Sequence, residues 1–289
     1  MPSEPRRLLV SFSGGQTSGY MSKVIKDAYE NQYDDVIYVF GNTGEEDERC
    51  LRFVDRCDRE FGLRVVWVEA LVHHGERRGT GHRVVTFETA SRNGEPYESH
   101  IQKYGIPNKA FPHCTRELKY RPIHSYAASL GWKDYDTAIG IRTDERRRVA
   151  ANATQDKVVY PLLDWFPSDK QDVNSFWEDQ SFSLGMQEHE GNCRWCWKKS
   201  DAKLLRLMTE RPAIFDFPAR MERTYPRVGA EFAKDRAARD RTFFRMNRSV
   251  EDLRKLHAEI GSRDVSTSSD ADSGCTESCE LYETEIVRE

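Results

Sequence analysis

The sequence predicts an α/β protein built on a doubly wound, mostly parallel sheet, with a helical C-terminal part and an acidic, flexible tail. Three observations support this. Short, nearly continuous apolar runs alternate with helical patterns through the first half of the chain. The apolar runs lack polar alternation, which is typical of parallel strands covered on both faces. After residue 167 the pattern becomes helical throughout, and the last 30 residues are acidic and rich in Ser and Thr.

The first five elements follow one another without interruption. The run "LLVSFS" predicts a strand, and residues 17–31 predict an amphipathic helix. A second strand, "VIYVFGN", leads into a helix over residues 46–61, and "RVVWVEA" predicts a third strand. Strands separated by helices of this length are typical of βαβ units, so the sheet should be parallel.

The pattern is lost over residues 71–112, which are rich in Gly, His and Arg and which we interpret as a lid or insertion. A helix then returns in "TRELKYRPIHSYAASLGW", followed by the strands "DTAIGI" and "VVYPLL". We therefore predict a nucleotide-binding α/β domain over residues 1–166, a helical region over 167–260 and a flexible tail over 261–289.

Composition narrows the functional classes. The chain has 289 residues, a net charge of −4 and 32% charged residues. No apolar run approaches the length of a membrane span, so a cytoplasmic protein without membrane association is expected. Seven cysteines in a reducing compartment are more consistent with metal binding or catalysis than with a disulfide framework.

The stretch "SFSGGQTSG" between the first strand and the first helix predicts a phosphate site. Two glycines allow the backbone to approach a ligand closely, and free N–H groups at a helix N-terminus attract anions. The alternative is an ordinary tight turn between strand and helix. The ending Gly-Lys-Ser/Thr of a Walker loop is missing, which disfavours an ordinary kinase or GTPase. The candidate nucleotide-binding residues of this loop are Ser13, Gly14, Gly15, Gln16, Thr17 and Ser18.

Two further segments follow strands and should therefore reach the same edge of the sheet. "GNTGEE" contributes Asn42 and Thr43 as candidates near the nucleotide, although Thr43 also suits a helix cap. "GIRTDERRR" contributes Gly140 and Arg142, and its arginines suit phosphate binding as well as a solvated surface.

The cysteines suggest a metal or cluster site. "GNCRWCWKK" carries the Cys193-x-x-Cys196 pair, "FPHCTRELKYRP" carries Cys114 at a helix start, and Cys275 and Cys279 lie in the tail. Zinc, an iron–sulfur cluster and a redox pair remain open on spacing alone. Cys50 and Cys57 lie on one predicted helix beside apolar residues, and we interpret both as core residues.

Four motifs, in order, resemble the phosphoadenosine-phosphosulfate reductase and N-type ATP pyrophosphatase superfamily. They are "SFSGGQTSG", "CTRELKYRP", "IGIRTDERRR" and "GNCRWCWKK". The resemblance implies an adenine nucleotide α-hydrolase-like fold. It matches Cys114, Lys119, Cys193 and Cys196 to a cluster motif, and Thr115 stands where that motif has a second adjacent cysteine. The fourth cluster position is then Cys279, Cys275 or open.

The complete Ser-Gly-Gly-x-Thr-Ser loop, together with the cysteines, resembles the same features of the ATP pyrophosphatase component of DNA phosphorothioation systems. That resemblance implies cleavage of ATP to AMP and pyrophosphate with Mg²⁺, and adenylation of a nucleic-acid oxygen for sulfur insertion. It implies catalytic roles for Ser13, Lys119 and Arg142, and a 4Fe-4S cluster on Cys114, Cys193, Cys196 and Cys279. Expected partners are a cysteine desulfurase, other proteins of the modification system and DNA.

Two alternative functions remain open on the sequence. The first is a sulfonucleotide reductase with Cys279 as nucleophile, although "SCELY" lacks the Gly and His of the family motif. The second is a nucleotide-binding redox sensor without turnover. The basic region over residues 220–248 suits contact with DNA phosphates, and equally a solvated helical surface.

Overall fold

A six-stranded, mostly parallel sheet forms the centre of the computed structural model, which describes residues 5–75 and 78–260. The strand order is β4-β3-β2-β1-β5-β6, and every neighbouring pair is parallel except β3 and β4. The predicted α/β class with a mostly parallel sheet is confirmed. The strands are β1 (Arg7–Ser11), β2 (Asp35–Asn42), β3 (Val66–Val72), β4 (Thr80–Val85), β5 (Asp136–Ala138) and β6 (Val158–Val159).

Helices follow most of the strands. Two π-helical turns, Ile25–Tyr29 and Arg116–Tyr120, extend or precede α-helices. The α-helices of the described residues are α1 (Gln16–Val24), α2 (Glu48–Phe61), α3 (Glu95–Tyr104), α4 (Arg121–Ser129), α5 (Pro161–Asp164), α6 (Lys170–Glu178), α7 (Asp201–Glu210), α8 (Asp216–Thr224), α9 (Ala230–Lys234) and α10 (Val250–Ile260).

The predicted helix over residues 46–61 is confirmed as α2, which shows why local sequence was informative here. Asp47 caps its N-terminus and accepts the N–H of Arg49 at 3.0 Å. Gly62 ends it in the left-handed conformation, with φ of +63°. Both ends thus carry the residue types that helix termini require.

The central strand β1 divides its side chains between two apolar clusters. Leu8 and Val10 pack in one cluster with Met21 of α1, whereas Leu9 packs in another with Ile123 of α4. All three β1 residues are fully buried. Because successive side chains of a strand point to opposite faces, apolar cores lie against both faces of the sheet.

The segment over residues 71–112 contains more regular structure than the sequence indicated. β4 pairs antiparallel with β3, joining Leu71 to Gly81 in register, and α3 follows. β4 was missed because half of its residues are Gly, His or Arg, and because its Val84 is exposed on the sheet edge. A strand of that composition gives no alternating apolar signal.

Residues after 167 are largely helical, as predicted, but their core is shared with earlier residues. Tyr97 and Leu118 pack in the same apolar cluster as Leu204, Phe215 and Leu253. The predicted flexible tail, residues 261–289, lies outside the described residues. Among the helices that the structure describes, none combines the length and apolar character needed to cross a membrane.

Candidate functional site

The loop between β1 and α1 forms a tight turn with an open helix end. Gly14 has φ of +84°, and α1 begins immediately after Gly15. The hydroxyl of Ser13 donates to Ser18 Oγ at 3.0 Å, and Ser18 in turn donates to the carbonyl of Gly15 at 3.0 Å. No side chain of the described residues caps the N-terminus of α1. Its first N–H groups are therefore available to an anion.

The loop rests directly on α2. The Cys50 thiol donates to the carbonyl oxygen of Gly14 at 3.3 Å. A Cβ placed on Gly14 would lie 2.6 Å from Cys50 Sγ and 3.0 Å from the ring of Phe40. Cys57 is fully buried, as predicted for a core residue. Cys50 is partly exposed and contacts the loop. Burial raises the pKa of the Cys50 thiol to about 12, so the thiol keeps its proton and can act as donor.

Arg142 is placed against this loop, as its position after a strand suggested. Its Nη1 donates to Thr17 Oγ1 at 3.0 Å, and Asp144 holds the guanidinium through two hydrogen bonds of 3.0 Å. Arg142 is 4% exposed. Gly140 lies behind it, where a Cβ would be 3.6 Å from Thr17 Cγ2. Burial and the paired carboxylate fix the arginine in one orientation beside the start of α1.

One cavity is lined by residues of this loop and by Arg142. The wall opposite the loop comes from α6 and from the segment over residues 184–191, with Lys170 as its cation. Trp177 of α6 fastens that wall to the loop through a bond from Nε1 to the carbonyl of Gln16 at 2.9 Å. Lys170 was not predicted from the sequence, because its only distinctive feature there is that it follows Asp169, the N-cap residue of α6. The lining residues include Ser13, Gly15, Gln16, Thr17, Arg142, Lys170, Asn174 and Glu188.

Asn42 and Thr43, after β2, are directed into the protein. The Asn42 amide donates to Glu69 Oε1 at 2.7 Å and to the carbonyl of Ser91 at 2.9 Å, and its side chain is fully buried. Thr43 Oγ1 donates to Glu46 and lies 3.7 Å from Cys193 Sγ. In this structure the pair connects the β2 edge to neighbouring segments, and Thr43 makes the link to a candidate cluster cysteine.

Lys119 reaches the same edge from the helix after Cys114. Its Nζ lies 3.7 Å from Glu46 Oε1, and its side chain is 9% exposed. Its backbone passes close to β2, since a Cβ on Gly41 would be 3.5 Å from Lys119 Cα. Lys119 therefore lies under the loop that carries Thr43, beside the buried carboxylate of Glu46. It is not among the lining residues of the cavity beside Ser13.

Three of the predicted cluster cysteines gather in one buried region. Cys114, Cys193 and Cys196 belong to a single apolar cluster with Tyr97. Burial raises the pKa of the Tyr97 phenol well above its ordinary value, and the three neighbouring cysteines raise it further. Within residues 5–75 and 78–260, no group of three or more His, Cys, Asp or Glu side chains is arranged as a metal site. Cys279 lies outside the described residues.

Glu45 fastens the Cys-x-x-Cys turn to the β2 edge, and sequence reasoning missed this. Its carboxylate accepts Trp195 Nε1–H and pairs with Arg194 at 3.1 Å, and its carbonyl accepts the Arg194 N–H at 3.0 Å. Burial raises the pKa of Glu45 to about 7, against the lowering effect of Arg194. In the sequence, Glu45 follows a strand and resembles a residue at the start of a helix. Its partner Trp195 lies 150 residues away, so no local pattern indicated the contact.

A histidine pair borders the cysteine region. His113 Nδ1 and His100 Nε2 lie 2.9 Å apart, and burial lowers the pKa of both rings, that of His113 to about 3. Both rings therefore stay neutral at physiological pH. The pair joins α3 to the residue before Cys114.

Several of the basic residues over 220–248 form ion pairs within the protein. Arg220 pairs with Glu98 at 2.7 Å, Arg227 with Asp240 at 2.8 Å, and Arg241 with Glu231. Exposed ion pairs such as the first two contribute about 0–1 kcal/mol each. The paired carboxylates offset part of the positive charge on which the DNA-binding interpretation relies.

Comparison with known proteins places the chain beside one phage protein. The chain is 29% identical over 284 residues to the uncharacterized nin region protein ORF290 of Escherichia phage lambda. The alignment covers 95% of this chain and 94% of that protein, so the similarity extends through the helical part as well as the sheet. No protein-family model matches the chain.

Proposed function

We propose that this chain is an ATP pyrophosphatase of the PP-loop type. It would adenylate a nucleic-acid oxygen, namely one in the DNA backbone, for sulfur incorporation. The observation that carries the proposal is the cavity in which the uncapped start of α1 meets Arg142. N–H groups at a helix N-terminus and a fixed guanidinium suit a pyrophosphate group. Lys170 on the opposite wall, 3.7 Å from Glu188 of the same lining, adds a second cation to that cavity.

The proposed reaction is a transfer of AMP from ATP to the acceptor. The acceptor oxygen attacks the α-phosphorus of ATP, the α–β bond breaks with its electron pair going to the bridging oxygen, and pyrophosphate leaves. Ser13 and Thr17 hydroxyls and Arg142 would stabilise negative charge on that leaving group. A phosphodiester oxygen is already anionic, so no base needs to remove a proton. Sulfide-level sulfur can then displace AMP without any change in oxidation state.

The cysteine region suits the sulfur step chemically. Cys114, Cys193 and Cys196 share one buried cluster, and thiolates are the ligands that iron–sulfur clusters and zinc prefer. These three residues would hold the group, with Cys279 as the proposed fourth ligand. When bound, an iron–sulfur cluster would supply the sulfur chemistry. A cysteine desulfurase would be the partner that provides persulfide sulfur, and a dithiol or electron-transfer protein would reduce that sulfur by two electrons to the sulfide level. Mg²⁺ would accompany ATP.

We also infer that the sheet is doubly wound, in the manner of adenine nucleotide α-hydrolases. Apolar clusters on both sides of β1 support this arrangement. One contains residues of α1 and α2, and the other contains residues of α4. A parallel sheet covered on both faces binds its ligands beyond the carboxyl ends of its strands, where the cavity lies.

The test is an anaerobic assay with ATP, Mg²⁺ and an oligonucleotide that resolves AMP, ADP and pyrophosphate. We expect AMP and pyrophosphate in equal amounts, reduced about a hundredfold in Ser13→Ala and in Arg142→Gln, because such contacts contribute a few kcal/mol to a transition state. Arg146→Gln, a change at an exposed arginine four residues further on, is the matched control and should retain activity. Formation of ADP, or sulfite release from adenylylsulfate without pyrophosphate, would contradict the proposal.

A further inference from the structure

A second polar pocket lies beyond the carboxyl end of β3. It is formed by residues 74, 75, 78 and 79 between β3 and β4, by the end of α3 and by the helical turn after Cys114. It shares none of its lining residues with the cavity beside Ser13. The lining residues are His74, Gly75, Arg78, Gly79, Lys103, Tyr104, Arg116, Glu117 and Arg121.

The pocket carries a surplus of positive charge. Among the described residues, its lining holds four cations, Arg78, Lys103, Arg116 and Arg121, and one carboxylate, that of Glu117. Four positive charges and one negative charge leave a formal surplus of three. The side chains of Arg116 and Arg121 are 35% and 44% exposed, so their guanidinium groups can reach a ligand.

Three of the four cations, Lys103, Arg116 and Arg121, are held in place by the protein. Glu117 is 1% exposed and accepts bonds from Arg116 at 3.0 Å, Arg121 at 2.9 Å and Thr80 at 2.6 Å. One buried carboxylate thus orients two guanidinium groups toward the same space. Lys103 donates to the carbonyls of His73 and Arg78, which fixes the connecting segment against α3. Such preorganisation reduces the entropy lost on binding.

The topology places this pocket in line with the proposed ATP site. β3 is separated from β1 only by β2, which puts the two strand axes roughly 10 Å apart, and the register aligns Ser11, the last residue of β1, with Val39 and Val66. β3 continues to Val72, so its end lies roughly 20 Å beyond the end of β1 along the strand direction. Between them lies the β2 edge with Thr43, next to Cys193. A polyanion in the pocket would therefore extend past the cysteine region toward the site of adenylation.

We infer that this pocket binds the phosphodiester backbone of the nucleic acid that is modified. The inference rests on the proposed function and names the residues that hold its acceptor. Several separated cations in an open pocket suit consecutive backbone phosphates better than a single small phosphate. Arg78 and Arg121 would contact the backbone, and the Tyr104 ring in the same lining offers a face for stacking a base.

The test is fluorescence anisotropy of a labelled, short oligodeoxythymidylate with the full chain, over a range of potassium chloride concentrations and without ATP. We expect Arg78→Gln/Arg121→Gln to weaken binding at least about tenfold, and to reduce the log–log salt slope by roughly 1.4, because each single-strand phosphate contact contributes about 0.7. Glu117 keeps Arg116 as a partner in that variant. Unfolding midpoints in urea establish that the variant is folded.

The matched control is Arg52→Gln/Arg59→Gln, which removes two exposed arginines of α2, 73% and 70% exposed, and should bind as the wild type does. Equal binding by the pocket variant and the wild type, or an equal loss in the control, would overturn the inference. Displacement of the oligonucleotide by an equimolar amount of inorganic pyrophosphate would also overturn it, because the pocket would then be a small-phosphate site. Oligonucleotide binding through these arginines without any AMP formation would refute the proposed activity alone.

Discussion

The sharpest test of the loop geometry is Gly14→Ala. Gly14 has φ of +84°, where a side chain is strained, and an added Cβ would lie 2.6 Å from Cys50 Sγ and 3.0 Å from Phe40. Gly131 provides a matched position, because it has φ of +79° and nothing within 4 Å of an added Cβ. The pair separates backbone strain, which both substitutions introduce, from steric overlap, which only Gly14→Ala introduces.

The magnitudes follow from these two terms. A non-glycine residue in the left-handed region costs about 1–2 kcal/mol, which is the expected loss of unfolding free energy in Gly131→Ala. Overpacking a filled site adds about 1–3 kcal/mol, so Gly14→Ala should lose roughly 2–5 kcal/mol. Tryptophan fluorescence during equilibrium unfolding in urea measures both variants. ATP binding should be lost together with the loop conformation.

A double variant identifies the overlapping atom. Gly14→Ala/Cys50→Ala removes the Sγ that an alanine methyl would meet, so it should recover most of the steric term and retain the strain. Gly15→Ala is the neighbouring control, since its φ of −98° and ψ of 165° are accessible to any residue. Equal unfolding free energies for Gly14→Ala and Gly131→Ala, or no coupling with Cys50→Ala, would refute this account of the loop.

Two further predictions concern buried carboxyl groups. The pKa of Glu45 rises from its ordinary value of 4.5 to about 7 in the folded state, so its contribution to stability is complete below pH 4.5 and is lost as the pH rises through 7. Glu45→Gln should therefore remove up to roughly 3 kcal/mol of the change in unfolding free energy over that interval, and parallel pH profiles for the two proteins would contradict this. Glu222 accepts the N–H groups of Phe243 at 3.0 Å and Val250 at 2.8 Å, one on each carboxyl oxygen. Glu222→Gln places an amide donor against one of them and should cost about 1–3 kcal/mol in urea unfolding, whereas an unchanged midpoint would show that those bonds do not matter.

The sheet was predictable because its signals are local. β1 and β2 are continuous apolar runs, and α2 carries its cap and its terminal glycine within its own sequence. The loop after β1 was recognisable for the same reason, since its hydroxyls and glycines are consecutive. The position of Arg142 was also inferable, because residues that follow parallel strands meet at one edge. The bond from Arg142 to Thr17 realises that expectation.

The remaining features depend on contacts that no local pattern encodes. Glu45 meets Trp195 across 150 residues, and Asn42 bonds to Glu69 and Ser91. In sequence, both look like residues of a nucleotide-binding edge or of a helix start. Both are buried, and their hydrogen bonds fasten that edge to its neighbours. The pocket beyond β3 was hidden for a related reason, since its cations come from three separate segments and are brought together only by folding.

Parallel pairing explains why the proposed chemistry would require such remote residues. β1, β2 and β3 end at one edge, and each end carries a different feature: the open start of α1, Thr43 beside Cys193, and the basic pocket. No single strand end carries all three, and by the register the end of β3 lies roughly 20 Å beyond the end of β1 along the strand direction. The order of the strands fixes the order of these three features along the sheet edge. The contacts of Glu45 hold the Cys-x-x-Cys turn next to the end of β2, between the other two. Under the proposed function, an acceptor bound in the basic pocket would therefore pass Thr43 and Cys193 before it reached the start of α1, an order that suits adenylation followed by sulfur transfer.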